Sequence, residues 1–202
     1  MSDRFIYAQF LCEGKSDEGL AQIIHATLVD LGFNPDSYVV GASYPPGNKT
    51  VEGGINNILE DGQPDAIFVH RDADNAGVQS RRDEIFEAQA KAKASVSVVP
   101  VIPVKETEAW VLWALHNEAF RDKIRGMEGV ALPPRKTIEG IAAKEQLQAV
   151  HEQWALNRSG KRKNRISFER DRSRWLTLIT DVAYLDGCPS YDELRVDCQA
   201  II

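Results

Sequence analysis

The chain has 202 residues, 43% of them hydrophobic and 27% charged, and a formal charge of -6. That make-up describes one globular domain, or one domain with a helical extension, and no stretch reaches the ~18 consecutive apolar residues of a membrane helix. The opening MSDRFIYAQFLCEGKSDE holds neither the apolar run of ~7–15 residues nor the cleavage site of a secretory signal, so a cytoplasmic protein that makes no membrane contact is expected.

Residues 4–12, RFIYAQFLC, are aromatic and apolar throughout, as in a strand covered on both faces. Leu20, Ile23, Ile24, Thr27, Leu28 and Leu31 then recur at helical spacing, and Gly32 stands where a helix commonly ends. SYVVGAS (37–43) predicts a second strand, YPPGNK a loop, and Val51, Ile55, Ile58 and Leu59 a second helix. DAIFVH (65–70) is the third strand, a helix follows over about 78–93, and SVSVVPVI (95–102) is the fourth strand. Strand and helix alternating at this spacing imply crossover units and a parallel sheet.

After residue 104 the pattern turns helical: ETEAWVLWALHN, IEGIAAKEQLQAVHEQWAL and RWLTLITDVAYL. A last helix is predicted from Ser190, with Glu193 completing a capping box. The expected class is α/β: a parallel sheet of about four strands with flanking helices over residues 1–125. Residues 126–202 form a helical extension with a basic segment, packed on the same domain. Trp110 and Trp113 read as core, and His25, His116 and His151 as packing or surface residues. His70 closes a strand beside the acidic turn, with its role open.

Ligands of open parallel sheets sit beyond the carboxyl ends of the strands. Strand one leads to Glu13 and Asp17 in CEGKSDE, strand three to Asp72 and Asp74 in HRDADN, and strand four to Glu106 and Glu108. Gly14 is expected to let the chain turn sharply after Glu13, into a helix whose start directs its partial positive charge back at that carboxylate. Acidic residues gathered on one edge repel at close range. Magnesium or manganese relieves that repulsion, being oxygen-seeking and held by a few carboxylates plus waters. Zinc is disfavoured, because histidine and cysteine do not occur at its ligand spacing. The three cysteines, Cys12, Cys188 and Cys198, are an odd number without metal spacing and read as buried thiols.

EGKSDE after the first strand, DAD after the third and ETEAW after the fourth resemble the Toprim fold over about residues 4–115. The similarity is to the Toprim nucleases of the overcoming-lysogenization-defect (OLD) type and to small stand-alone Toprim-like proteins of bacterial phage defence. The resemblance implies neighbouring first and third strands. It implies Glu13 as metal ligand or general acid–base, joined by Asp17, with Asp72 and Asp74 on the metal and Glu108 or Glu106 completing the set. Position 17 is Asp where that family commonly has Glu, and the chain has no room for the ATPase domain that accompanies many such nucleases. A separate ATPase is therefore an expected partner, and a homo-oligomer is left open.

GASYPPGNKT (41–50) approaches a phosphate-binding P-loop but misses its spacing, since Asn48 separates Gly47 from Lys49 and Pro45 and Pro46 remove amide donors. It reads as a turn, with Lys49 available to nucleic acid. Residues 158–174 hold eight basic residues against two acidic ones, a local charge of +6. Lys161, Arg162, Lys163 and Arg165 are the expected phosphate contacts there. Arg71, Arg81 and Arg82 are further phosphate candidates, and Lys105 is a candidate for stabilising a leaving oxygen. Two functions follow: an Mg²⁺- or Mn²⁺-dependent nuclease on DNA or RNA, or a catalytically silent Toprim-like module serving a separate ATPase. Five converging carboxylates favour the nuclease.

Overall fold

The computed structural model describes residues 4–157 and 167–201. Strands β1 (Tyr7–Leu11), β2 (Tyr38–Ala42), β3 (Ala66–His70) and β4 (Ser97–Val101) form one sheet in the order β2-β1-β3-β4, every neighbouring pair parallel. The crossovers carry α1 (Leu20–Asp30), α2 (Val51–Asp61) and α3 (Val78–Ala92). Gly32 follows α1 with φ +95°, a conformation glycine adopts freely.

Side chains alternate along strands, and the apolar ones fall into two layers. Ile67, Val69 and Val98 share a layer with Val51, Ile55, Ile58 and Ile85 of α2 and α3. Ala8, Phe10, Phe68, Val99 and Val101 join α1 and the helices that follow the sheet. The chain goes from β1 out to β2, then returns across β1 to β3, so the strand order reverses between β1 and β3. A crevice at the carboxyl ends of such a reversal is the usual ligand position in open α/β sheets.

The remaining helices are α4 (Glu108–Ala114), α5 (Glu118–Asp122), α6 (Ala143–Asn157), α7 (Phe168–Thr177) and α8 (Pro189–Gln199). All seven residues of α4 are buried. Trp110 Nε1 donates to Ser190 Oγ at 2.8 Å and Trp113 Nε1 to the Asp186 carbonyl at 3.1 Å, so both tryptophans are core. One apolar cluster runs from Ile6 to Cys198, and the helices after β4 are built on the core that covers the sheet. Among the described residues no helix is long and apolar enough to cross a membrane. The three thiols are buried, and burial pushes Cys12 up to about 11 and Cys198 up to about 12.

Local differences from the sequence reading have physical causes. The last helix starts at Pro189, favoured at a first helical position, and no capping box forms at Ser190. The Ser190 hydroxyl is committed to Glu139 and to Trp110 instead. Helix α7 begins at Phe168, within the charged stretch FERDRS, because Asp171 and Arg172 of that stretch are buried. The long pattern from Ile138 divides into a 3-10 turn (Arg135–Gly140) and α6, separated by extended backbone at Ile141.

Helix α2 lies close on β1. A Cβ built on Gly54 would come within 2.4 Å of a methyl of fully buried Leu11. Gly54→Ala is therefore expected to lower the melting temperature, since an overpacking cost of about 1–3 kcal/mol exceeds the helix-propensity gain of about 0.5–1 kcal/mol. Thermal unfolding by circular dichroism checks this, and an unchanged or higher Tm would mean that Leu11 has room to move.

Candidate metal-binding edge

The turns after β1, β3 and β4 meet at the carboxyl edge. Beyond the strands the backbone ladder between β3 and β4 continues, with Arg71, Ala73 and Asp74 N–H donating to the carbonyls of Val101, Pro103 and Lys105, each at 3.2 Å. Asp74 (φ +43°) and Lys105 (φ +68°) are both left-handed, and they face each other across the last of these bonds. A non-glycine residue in that region is held there by its surroundings, at a cost of order 1–3 kcal/mol. The third such residue among those described, Lys93, caps the end of α3, where the conformation is ordinary.

Three arginines meet the carboxylates at this edge: Arg71, Arg81 and Arg172. Arg71 donates from Nη1 to Glu13, and its Nη2 lies 3.0 Å from Glu84. It thereby ties the end of β1 to the end of β3. Arg81 of α3 folds back over the same turn: Nε donates to the Asp72 carbonyl at 3.0 Å, Nη1 pairs with Glu84 at 2.9 Å, and Nη2 lies 3.9 Å from Asp74. His70, wholly buried, sets Nε2 at 3.2 Å from Asp72 Oδ1, while its buried Nδ1 has no hydrogen-bond partner. That arrangement fits the tautomer that donates from Nε2 to the carboxylate.

The third arginine comes from the far end of the chain. Arg172 of α7 places Nη1 3.5 Å from Asp17 Oδ1 and 3.2 Å from Glu108 Oε1. The hydroxyls of Thr107 and Ser16 donate to the two oxygens of Asp17, each at 3.1 Å. Burial is the largest influence on Glu108 and raises its pKa, Arg172 opposes that shift, and the charges of Glu106 and Asp72 add to it. Glu106 is raised as well, again chiefly by burial, with Lys144 opposing and Asp72 and Glu145 adding.

Several expected placements are corrected. Asp17 and Glu108 do not stand with Glu13 and the Asp72–Asp74 turn as one set but are the partners of Arg172. Gly14 is extended (φ -151°), open to any residue, and a 3-10 turn over Lys15–Asp17 separates Glu13 from α1. The charge facing Glu13 is therefore Arg71 and not a helix terminus. Arg82 turns away from the edge to form a two-pronged pair with Asp197 of α8, at 2.6 and 2.8 Å. Arg172, counted in the basic segment, points into the protein. Lys49 is exposed and Lys105 half-buried, and neither ammonium has an ion-pair partner among the described residues. Lys161, Arg162, Lys163 and Arg165 lie outside the described residues.

Sequence reading did not single out Glu84, Thr107, Arg172 or Tyr44. The hydroxyl of Tyr44 is buried without a partner, and its pKa is pushed up to about 12, chiefly by burial, with Arg71, Glu13 and Glu84 close enough to act on it. Glu84 could have been found from its position one turn beyond Arg81 on a predicted helix. Nothing local marks Arg172.

As the side chains stand, no three His, Cys, Asp or Glu groups among the described residues converge on one point that could hold a metal ion. The donor chemistry nevertheless fits a hard divalent cation: Glu13, Asp72 and Asp74 offer carboxylate oxygen alone, at the strand-order reversal, and are open to water. Compared with protein-family models, curated proteins and solved structures, the chain matches none.

A carboxyl group whose pKa is raised by folding costs no stability below its ordinary value, 4.5 for Glu106, and costs most when fully ionised above the raised value. Glu106→Gln is accordingly expected to raise the Tm at neutral pH, the gain disappearing near pH 4. Melting curves at the two pH values check it. A lower Tm at neutral pH would show that the Lys144 contact outweighs burial.

Proposed function

We propose that the chain is an Mg²⁺- or Mn²⁺-dependent nuclease of Toprim type, hydrolysing phosphodiesters of DNA or RNA in bacterial phage defence. The observation that carries the reading is the Arg71 bridge, which holds Glu13 of the β1 turn against the Asp72–Asp74 turn of β3 at the strand-order reversal. The paired left-handed residues Asp74 and Lys105 support it, because such conformations gather at functional sites.

Glu13, Asp72 and Asp74 are the residues that would hold the ion. A bound Mg²⁺ or Mn²⁺ supplies Lewis-acid polarisation of a phosphoryl oxygen and a water of lowered pKa. His70 orients Asp72 through its Nε2 contact. Arg71, once parted from Glu13, presents a guanidinium fork suited to phosphate oxygens, and Glu84 keeps it beside the site. Arg81 holds the Asp72 carbonyl and so fixes the turn. Lys105 would offer an ammonium to the leaving oxygen, and Glu13 would take the proton of the attacking water.

A second reading, a catalytically silent module serving a separate ATPase, draws on the same ion pairs. Arg71 and Arg172 already compensate Glu13, Asp17 and Glu108, so the edge is stable as it stands. Cleavage of DNA and RNA panels, with any partner ATPase supplied, separates the two. Glu13→Gln should fold normally and lose metal-dependent cleavage by about a hundredfold or more, the scale of a lost acid–base group. Full activity in Glu13→Gln would overturn the nuclease mechanism and leave the module.

The basic run is expected to set affinity and not turnover. Replacing Lys161, Arg162 and Lys163 by alanine should weaken binding across sequences and lower the log–log salt slope by about 0.7–0.9 per lost phosphate contact. An unchanged slope would show that the run does not touch nucleic acid.

A further inference from the structure

We propose that strand β2 is a self-association surface, on which two copies of the chain pair their β2 strands antiparallel about a two-fold axis at Val40 and join two four-stranded sheets into one. This association does not depend on the chemistry of the carboxyl edge.

Strand β2 is an outer strand of the sheet, paired with β1 alone. Tyr38 N–H donates to the Ile6 carbonyl at 3.2 Å, so the polar backbone groups of Tyr38, Val40 and Ala42 face β1 and those of Val39 and Gly41 face outward. Among the described residues nothing bonds to these outward groups. Proteins commonly guard such an edge with charge, proline or a bulge. Here Ser37 through Asn48 carry no charged side chain, in a chain that is 27% charged, and Tyr38–Ala42 holds no proline. Its pairing with β1 also runs unbroken, without a bulge. Apolar groups flank the edge on both faces. On one, Phe5, Tyr38 and Val40 are 49%, 47% and 42% exposed, and the Tyr38 ring lies 5.5 Å from Phe5 and 5.0 Å from Tyr7. On the other, a groove of about 470 Å³ is lined by Val39 and by Ala21, His25 and Ala26 of α1.

The occupant that fits this edge is the same strand of a second copy, because YVVGA is complementary to itself. A two-fold axis at Val40 sets Val39 opposite the partner's Gly41, Tyr38 opposite the partner's Ala42, and the two Val40 residues opposite each other. Each Val39–Gly41 pair then exchanges both of its outward N–H and C=O groups, which satisfies the open ladder. Large side chains meet small ones: a Cβ built on Gly41 meets nothing within 4 Å, so the partner's Val39 has room there. The Val40 pair falls at a non-hydrogen-bonded position, where opposed side chains come closest. Tyr38 lies diagonal to the partner's Val40, within reach of an aromatic ring, and carries the Phe5–Tyr7–Tyr38 patch across the junction. Two chains of charge -6 repel, and a strand without charge lets them meet with no like charges opposed. The contact uses the same patch on both copies and so closes at a dimer.

A short strand pair is a small interface, so a reversible dimer is expected. Sedimentation velocity of the full-length chain across the micromolar range should show a monomer–dimer equilibrium. Val40→Lys sets like charges face to face at the axis and should weaken the dimer by about tenfold or more, with the circular dichroism of the fold unchanged. Val40→Cys brings two thiols within disulfide reach and should give a covalent dimer under diamide, the native thiols being buried. Tyr38→Cys, opposite the partner's Ala42 and away from its own counterpart, should not cross-link. A wild type that stays monomeric throughout would overturn the proposal and leave the edge to an extended segment of a different protein. A dimer indifferent to Val40→Lys, or cross-linking through Tyr38→Cys in preference to Val40→Cys, would overturn it too. Should Val40→Lys not fold, the cysteine variants decide the point, and failure of Val40→Cys to cross-link would overturn the proposal.

Discussion

Carboxylates crowded at one edge of a parallel sheet must be compensated, and the way this protein compensates them organises the rest of the molecule. Glu13, Asp17, Asp72, Asp74 and Glu108 all follow strands whose carboxyl ends share that edge. In a partly desolvated position such charges repel one another strongly. The chain meets them with guanidinium groups from two parts of the sequence, Arg81 of α3 among them. Arg71 stands within the acidic turn itself, and Arg172 arrives from a helix a hundred residues further along.

That second direction gives the helices after β4 a task beyond covering the sheet. Helix α4 carries Glu108 at its first residue and Trp110 and Trp113 in the core, so the acidic residue is positioned by the packing of the tryptophans. Helix α7 brings Arg172 to meet it, and the His151–Asp171 contact fixes where α7 begins. A buried ion pair adds little net stability, whereas removing one partner strands the other charge. The value of the Arg172 pair therefore lies in placement: it holds Asp17 and Glu108 in position beside the more exposed Glu13, Asp72 and Asp74.

The sheet and its helices were legible because their signals are local. Runs such as AIFVH and SVVPV are buried strands, and their spacing around helical patterns leaves few topologies. The acidic turns could be placed for the same reason, since each directly follows a strand. The partition of the carboxylates could not be read. Arg172 sits in a stretch of alternating charge that looks solvated, and its burial depends on contacts with Asp17 and Glu108, residues 155 and 64 positions away. Arg82 misled for the same reason, its partner Asp197 lying on the last helix. Gly14 misled differently: a glycine after a strand suggests a sharp turn, but the backbone there is extended and the turn is made by the 3-10 segment that follows.

The division of the edge into a closed, arginine-filled half and an open half can be seen directly. Crystals soaked in Mn²⁺, with anomalous difference density measured at the manganese edge, should show a single peak among Glu13, Asp72 and Asp74, with Arg71 withdrawn from Glu13 and Arg172 still on Asp17 and Glu108. A peak between Asp17 and Glu108, or no peak at the edge when manganese is in excess, would contradict it.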